Sequence, residues 1–524
     1  MKHAATLLTA ALPLATGVAP SVLEAELNAN GPNTVFITLD DMNWDSVGAY
    51  GSPVPNITPN MDRLAREGMR FQHAYVQSPS CVPSRNALIT GRYPHTSGVT
   101  GFFNVVADFQ TLPEALRDNG YFTGVVNKPR DSSPNGNHDR FWDYHRILTN
   151  DIKRDPEVYA DTMNVFLDEA AEHDGPFFCM VNIADPHKPF FNEPKSIKQG
   201  SNVPPSRIYG PDEVPVPPTL PDHPEIREEM ANYYNSVKRG DDCIAAVLDT
   251  LEERGLMDNA VIMLISDHGM PLPYAKSTLY REGLRTPWIV RWPGVVEPNS
   301  VDDEHLISAI DFAPTVLDIV GAPTPEGMQG QSFKPLLMGD RQENRDYIFA
   351  EFNDNAAGKP RPSRAIHGER YGYIFNAWGT GDYPFVSAWT WHNAYKVMQR
   401  MAKRDDAVAE RFRFLRFRTV EELYDFEADP YALNNLIDDP AYRDVAEKLR
   451  LELEAWMVET EDPVLAAFRV RHDPSLLNAY MKREDAAALH RAETLQWKRW
   501  RNRLGGTGGE RALYDPDAAT ATTR

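Results

Sequence analysis

The sequence predicts an α/β protein: a large domain on a sheet with crossover helices, followed by a smaller α+β domain. Two observations carry this. Short apolar, β-branched runs alternate with helical patterns along most of the chain, as crossover-connected sheets require. At 524 residues the chain also exceeds what one hydrophobic core organises, so two domains are expected. Val35–Leu39, Phe122–Asn127, Phe177–Ile183, Val261–Ser266 and Trp288–Arg291 read as strands of the large domain. Ile226, Met230, Tyr233, Val237, Ile244, Val247 and Leu251 fall near one face of a helix expected from Ile226 to Arg254. Eleven of the 42 prolines lie between Pro186 and Pro224. That stretch reads as a long irregular loop, the kind that borders an active site. Past residue 345 the segments shorten, with turn signals at Gly368-Glu369 and Gly379-Thr380-Gly381. The expected organisation is a leader over 1–30, a large domain over 31–345, a smaller domain over 346–465 and a tail over 466–524. The smaller domain should hold an antiparallel sheet and a helix near Val445–Val458. The tail should be charged, helical around Pro474–Arg501 and disordered from Gly505.

The string Pro79-Ser80-Cys81-Val82-Pro83-Ser84-Arg85 precedes the apolar Ala87-Leu88-Ile89 and then Gly91. Pro83 suits a first helical turn and Gly91 a C-terminal stop. Cys81 then projects from a helix N-terminus with Arg85 one turn later on the same face. Helix dipole and guanidinium both favour negative charge there, so the string reads as an anion site containing a nucleophile. A buried structural cysteine beside a surface arginine is the plainer alternative. Two further strings weigh against it. Val35–Leu39 ends in Asp40-Asp41, and Ala260–Ser266 ends in Asp267-His268-Gly269. Ligands of open α/β sheets bind at carboxyl ends of strands, and carboxylate oxygens suit a hard divalent cation. Each acidic end could also be a turn or cap residue.

Cys81-Val82-Pro83-Ser84-Arg85 matches in full the Cys-x-Pro-Ser-Arg signature of the formylglycine-dependent sulfatases, and the chain resembles that family of the alkaline-phosphatase-like superfamily. The resemblance runs from about Asn33 to Pro463. Within the family it is closest to the N-sulfoglucosamine sulfohydrolases. Supporting strings are Gly124-Val125-Val126-Asn127-Lys128, Asp185-Pro186-His187, Met270–Lys276, Glu422-Leu423-Tyr424-Asp425 and Glu459–Pro463. The resemblance implies an α/β/α sandwich with a mixed central sheet. It implies that a formylglycine-generating enzyme oxidises Cys81 to Cα-formylglycine, whose hydrated aldehyde is the nucleophile. It implies a calcium ion, magnesium being possible, on Asp40, Asp41, Asp267, His268 and residue 81; His268 stands where the family often has asparagine. Arg85 and Lys128 would stabilise the diol, Lys276 would bind sulfate and His187 would protonate the leaving atom.

One position departs from the family. A histidine is common two residues after the lysine matching Lys128, and here it is Arg130. Arginine is a poor base, its pKa being above about 12. It is therefore expected to bind substrate, and either another group, His138 or Lys128, accepts the diol proton or the step that expels sulfate is slow. Glu351 and Arg364 are expected sugar contacts from the smaller domain.

The function expected is release of sulfate from a sulfated saccharide, in an exo-acting, N-sulfoglucosamine sulfohydrolase-like manner. Alternatives are an O-sulfatase on another sulfated polysaccharide, a phosphoesterase or phosphonate hydrolase of the superfamily, and an inactive glycan-binding homologue. A thiolate phosphatase is excluded by spacing, since such loops separate Cys and Arg by five residues and here three intervene. The formal net charge of −21 argues against nucleic acid and against an anionic membrane surface as partners. Three cysteines make no disulfide framework, and Cys179 and Cys243 read as core thiols. Met1-Lys2-His3 followed by a small, apolar stretch from Ala4 to Ala19 reads as a secretory signal peptide and hence export to the periplasm or beyond. No other segment reads as a membrane span.

Overall fold

The computed structural model describes residues 31–494 apart from 104, 106 and 135. The leader read over 1–30 and the Gly505 tail therefore lie outside the described residues. Eight strands form the main sheet: β1 (Asn33–Asp40), β2 (Met69–Tyr75), β3 (Phe122–Val126), β4 (Tyr144–Arg146), β5 (Phe177–Pro186), β6 (Ala260–Ser266), β7 (Trp288–Arg291) and β8 (Ser300–Ser308). Their order is β4-β3-β5-β1-β6-β7-β2-β8. Pairing is parallel from β4 to β6, while β7 runs antiparallel to both β6 and β2. The sheet is mixed, as expected. β5 and β6 are buried along their whole lengths and β1 at every position after Asn33. Strands covered on both faces must be continuously apolar, which is why they could be found in the sequence.

β3, β5, β1 and β6 are adjacent and parallel, so their carboxyl ends share one edge. Asp40 pairs in register with Pro186, Leu39 pairs with Ser266, and the Asp267 amide donates to Leu39 O at 3.0 Å. Four sequence motifs are thereby forced together: Asp40-Asp41, Asn127-Lys128, Asp185-Pro186-His187 and Asp267-His268.

The long helix spans Pro224–Glu253 and caps on the His223 side chain. The proline-rich stretch before it is irregular except for a five-residue helix, Pro194–Lys198, where proline occupies a first-turn position that needs no N–H. The stretch lies along the long helix: the Phe191 amide donates to Ser236 Oγ and the Tyr209 amide to Asn235 Oδ1.

The second sheet is four-stranded and antiparallel, ordered β12-β11-β10-β9, from β9 (Ile348–Asp354), β10 (Pro360–His367), β11 (Tyr371–Asn376) and β12 (Glu421–Asp425). The expected C-terminal helix is present as Arg443–Glu459, and a further helix runs Pro474–Thr494. Between β11 and β12 the chain inserts residues 377–420, with helices Asn393–Met401 and Asp406–Phe417 that the sequence reading did not separate.

A buried ion network joins the second sheet to the large domain. Glu351 on β9 accepts from the His95 amide at 2.8 Å and lies 3.0 Å from His95 Nδ1, while His95 Nε2 faces Thr460 O at 3.3 Å. Arg364 on β10 lies 3.3 Å from Glu351 and grips Asp462 through two nitrogens. Glu351 and Arg364 have no exposed surface. Their hydrogen-bonding capacity is committed to internal partners, which leaves no face for the expected sugar contact, and Glu351 ties the second sheet to the large domain through His95. Burial opposes the Glu351 charge, but His95 and Arg364 outweigh it and hold the carboxyl down at about 2. A carboxyl depressed in the folded state stabilises above its ordinary pKa, and that stability is lost as pH falls through the depressed value. Glu351→Gln should cost about 3 kcal/mol in urea unfolding at pH 7, the scale for breaking a buried pair. The difference from wild type should shrink as pH is lowered from about 4.5 towards 2. A deficit that does not change with pH would show that the network is not ionic.

Candidate active site

Cys81 opens the helix Cys81–Thr90 and is 4% exposed. Ser80 is extended, with φ −153°, and Gly91 stops the helix at φ 61°, a conformation glycine adopts without strain. Nine of the ten residues are buried, so the helix is fixed against the sheet edge. Ser84 ties it there by donating to Asp267 O at 2.5 Å.

The Cys81 sulfur lies 3.5 Å from Asp40 Oδ1, 3.3 Å from His268 Nε2 and 3.5 Å from Lys276 Nζ. Arg85 is fully buried. Its Nε and Nη2 reach Asp267 Oδ2 at 3.1 and 2.9 Å, and its Nη1 donates to Thr38 Oγ1 at 2.6 Å and to Asn182 Oδ1. Lys128 Nζ pairs with Asp40 Oδ2, and Lys276 Nζ lies 2.5 Å from Asp41 Oδ1. The Asp41 amide donates to Asp267 Oδ1 at 3.0 Å. Three carboxylates and three cations thus interleave around the sulfur. Lys128 sits at φ 49° after Asn127 at φ 60°, a tight corner that turns its amine back over the end of β1.

Burial opposes the charge of Asp40, but the cations around it, Lys128 first and then Arg85 and Lys276, outweigh it and hold the carboxyl well below the usual range. Burial pushes Asp41 up, with Lys276 offsetting only part of the effect. Burial also pushes the Cys81 thiol well above its usual value. An unmodified Cys81 is thus a neutral thiol and a weak nucleophile.

His187 follows β5 with Nε2 3.9 Å from Asp41 Oδ2 and Nδ1 2.6 Å from Lys188 O. Burial, with the lysines 276, 128 and 153 adding to it against the pull of Asp40, holds this imidazole neutral. Asp185, two residues earlier, is gripped by Arg239 at 2.6 and 3.0 Å and by Arg154 at 3.1 Å, and Arg154 Nη2 also donates to His187 O at 2.8 Å. Those arginines set the direction in which the His187 corner leaves the strand.

Every residue expected at the metal or the nucleophile is in this cluster: Asp40, Asp41, Cys81, Arg85, Lys128, Asp267, His268, Lys276 and, at its edge, His187. Arg130 is exposed in the turn after Lys128. His138 packs edge-on against His145 at 4.1 Å between ring centroids and faces Asp139 at 3.7 Å. Thr38, Asn182 and Lys153 were missed in the sequence. Asn182 carried a signal, since it is a polar residue inside the apolar run of β5. Lys153 carried none; burial, Arg154 and Lys128 push its amine down to about 8.

The donor set suits a hard divalent ion. One ligand atom each from Asp40, Cys81, Asp267 and His268 lies within 4.8 Å of the others, and Asp41 Oδ1 is 3.2 Å from His268 Nε2. His268 Nδ1 is 2.9 Å from Gly269 O, an arrangement that fixes the proton on Nδ1 and leaves Nε2 as the ligand atom. Carboxylate oxygens with one imidazole fit calcium or magnesium. Three carboxylates balance three cations, so a dication would leave the cluster net positive and ready for an anion.

A model of the sulfatase family matches residues 32–322. A second model, described as N-sulphoglucosamine sulphohydrolase, C-terminal, matches residues 267–380. An ulvan-active sulfatase of Formosa agariphila is 29% identical over 480 residues, covering 82% of this chain and 75% of that protein. Human N-sulphoglucosamine sulphohydrolase is 26% identical over 473 residues, covering 83% and 91%. A structure solved with its substrate D-glucosamine-2-N,6-O-disulfate superposes with TM-score 0.62 at 21% identity, covering 82% of this chain and 98% of that one. A phosphonate monoester hydrolase of Agrobacterium radiobacter does so with TM-score 0.60 at 19% identity, covering 82% and 96%. The structural likenesses establish the alkaline-phosphatase-like fold. The family match covers more than half of the chain and takes in every residue of the cluster from Asp40 to Lys276, and on that ground this chain belongs to the sulfatase family.

Proposed function

We propose that this sulfatase hydrolyses the sulfamate or sulfate ester at the non-reducing end of a sulfated, glucosamine-containing saccharide, after conversion of Cys81 to formylglycine and with calcium in the carboxylate cluster. The observation that carries the reading is the placement of Cys81 within hydrogen-bonding reach of Asp40, His268 and Lys276, in a chain whose 267–380 segment matches the N-sulphoglucosamine sulphohydrolase model. Formylglycine would supply a hydrated aldehyde as nucleophile. A dication on Asp40, Asp41, Asp267 and His268 would supply charge to hold the sulfuryl oxygens.

The other steps fall to residues of this chain. Lys276 and Lys128, both pushed up by carboxylates despite burial, stay cationic and screen the anionic substrate from the approaching nucleophile. Arg85 fixes Asp267 and orients the helix that carries residue 81. His187 Nε2 must carry the proton to the leaving atom; the arriving negative charge offsets the lysines that keep its imidazole neutral. The insertion 377–420 narrows access, which favours exo action. Ser387 Oγ lies 2.6 Å from Ser277 Oγ, beside Lys276, and His392 lies 3.1 Å from Glu229, which pairs with Lys188 beside His187 at 2.9 Å. The leader over 1–30 supports export, and no helix among the described residues is long and apolar enough to cross a membrane.

A second reading is an O-sulfatase on another acidic polysaccharide. It is favoured by the 29% identity to the ulvan-active sulfatase.

Cys81→Ala and Cys81→Ser should abolish turnover, because neither side chain can form a diol. The wild-type peptide bearing residue 81 should be lighter by about 18 Da than its unmodified mass, the stoichiometry of CH2–SH becoming CHO at a thiol site. Turnover by the alanine variant would end the formylglycine reading. Asp40→Asn and Asp267→Asn should lose bound calcium, measured by elemental analysis, together with activity, at least about 100-fold. Full activity after exhaustive chelation would make the cluster purely structural. Sulfate release should be faster from glucosamine N-sulfate than from 2-, 3- or 6-O-sulfated monosaccharides. Activity confined to O-sulfates would select the second reading.

A further inference from the structure

The insertion between β11 and β12 carries Arg411-Phe412-Arg413-Phe414-Leu415-Arg416-Phe417-Arg418, four arginines in eight residues of a chain with net charge −21. The mechanism above uses none of them. Arg411, Arg413 and Arg418 line a cavity of about 480 Å³, closed on its other side by Asn434 and Asn435. Arg416 is buried and does not line it. None of the three makes an ion pair among the described residues. Arg418 is 9% exposed, and its Nε, with Nε and Nη2 of Arg411, is buried without a hydrogen-bond partner. Guanidinium groups desolvated without acceptors are costly unless something completes them. Glu410 is the one acid on the wall among the described residues, too few to neutralise three cations.

The aromatic content fits a sugar as well as an anion. Phe414 and Phe417 line the same cavity. A second cavity of about 260 Å³ shares Arg411 and Leu433 with it and extends the space to Pro218–Pro221. Together they form a groove with aromatic and guanidinium faces. The groove is coupled to the catalytic end of the molecule. The Arg411 guanidinium stacks 3.9 Å over the Tyr274 ring, two residues before Lys276, and Arg418 lies 4.6 Å over Tyr280.

We infer that this groove is a second binding site, for a sulfated or carboxylated segment of an acidic saccharide, which anchors a polymer outside the catalytic pocket. Planar guanidinium pairs bind sulfate and carboxylate bidentately, and rings between them take the apolar faces of sugars. An acidic peptide would use the charge but not the ring faces. The saccharide class rests on the proposed function, whereas the site itself rests on three arginines that line one cavity with no ion pair among the described residues.

The test is calorimetric binding to the full-length Cys81→Ala protein, which holds ligands without turnover. Probes are a heparin octasaccharide, uncharged maltooctaose, inorganic sulfate and a polyglutamate peptide. Arg418 is buried and its loss can unfold the segment, so the exposed Arg413 carries the test, with the exposed Arg341→Glu as the charge-matched control. Arg413→Glu should weaken the octasaccharide by about tenfold, the worth of one charge-assisted contact. The control should not weaken it, and maltooctaose and inorganic sulfate should bind far more weakly. Unchanged octasaccharide affinity in Arg413→Glu, or equal weakening by the control, would overturn the site. Polyglutamate or inorganic sulfate binding as tightly as the octasaccharide would overturn its saccharide assignment. If the wild-type enzyme releases no sulfate from any saccharide, the proposed function fails, while this binding test still decides the groove.

Discussion

Three carboxylates crowd one edge of the sheet, and the fold tolerates them only because three cations stand between them. Asp40, Asp41 and Asp267 are almost wholly buried, and buried like charges at this separation cannot all ionise unaided. Arg85 supplies the central counter-charge. Its guanidinium has no exposed surface, so its charge must be matched internally: Nη1 donates to the strand neighbours Thr38 and Asn182 and Nε to Asp267, while Nη2 only ion-pairs with Asp267. The requirement runs backwards through the fold. β1 and β5 must pair in parallel to place Thr38 against Asn182, and β6 must pair in parallel with β1 to place Asp267 beside Asp41. The Cys81 helix must also be buried on most of its faces to hold Arg85 between them. The active-site geometry and the sheet order are one constraint.

Legibility in the sequence followed the same division. Strands buried on both faces are continuous apolar runs, so Trp288–Arg291 was found to the residue and Val35–Leu39 lies within β1. The site residues that could be named sat at the ends of those runs or inside a dense local string. Partnership was not legible. Glu351 and Arg364 look like any charged residues of a strand, and nothing local announces that His95, Asp462 and Thr460 will close around them. Asp185 appeared in a motif, but its arginines are 31 and 54 residues away in sequence. The helix Asp406–Phe417 was hidden for a different reason: Arg411-Phe412-Arg413-Phe414 alternates with period two, a strand pattern. It is helical because its neighbours Ala407, Glu410 and Leu415 are good helix formers and because tertiary packing overrides the local alternation.

A strongly acidic protein acting on anions must make its attraction local. At about 0.15 M salt, charges beyond roughly 8 Å are screened, so the surface excess of carboxylates matters little once a substrate reaches a recessed cationic cluster. What matters is encounter. A short saccharide has few charges to be repelled on approach, whereas a long polyanion is opposed along its whole length. The proposed arginine groove would address that step, because it places cations on the insertion that touches Tyr274 and Ser277 beside Lys276.

Arg130 bears on the same balance. Its guanidinium is a permanent charge that is exposed and not inserted into the cluster. A histidine at that turn could exchange a proton near neutrality; arginine cannot. Deeper in the fold, burial, Arg154 and Lys128 push the Lys153 amine down to about 8. A permanent cation beside Lys128 adds to the local positive charge without adding a group that titrates near neutrality.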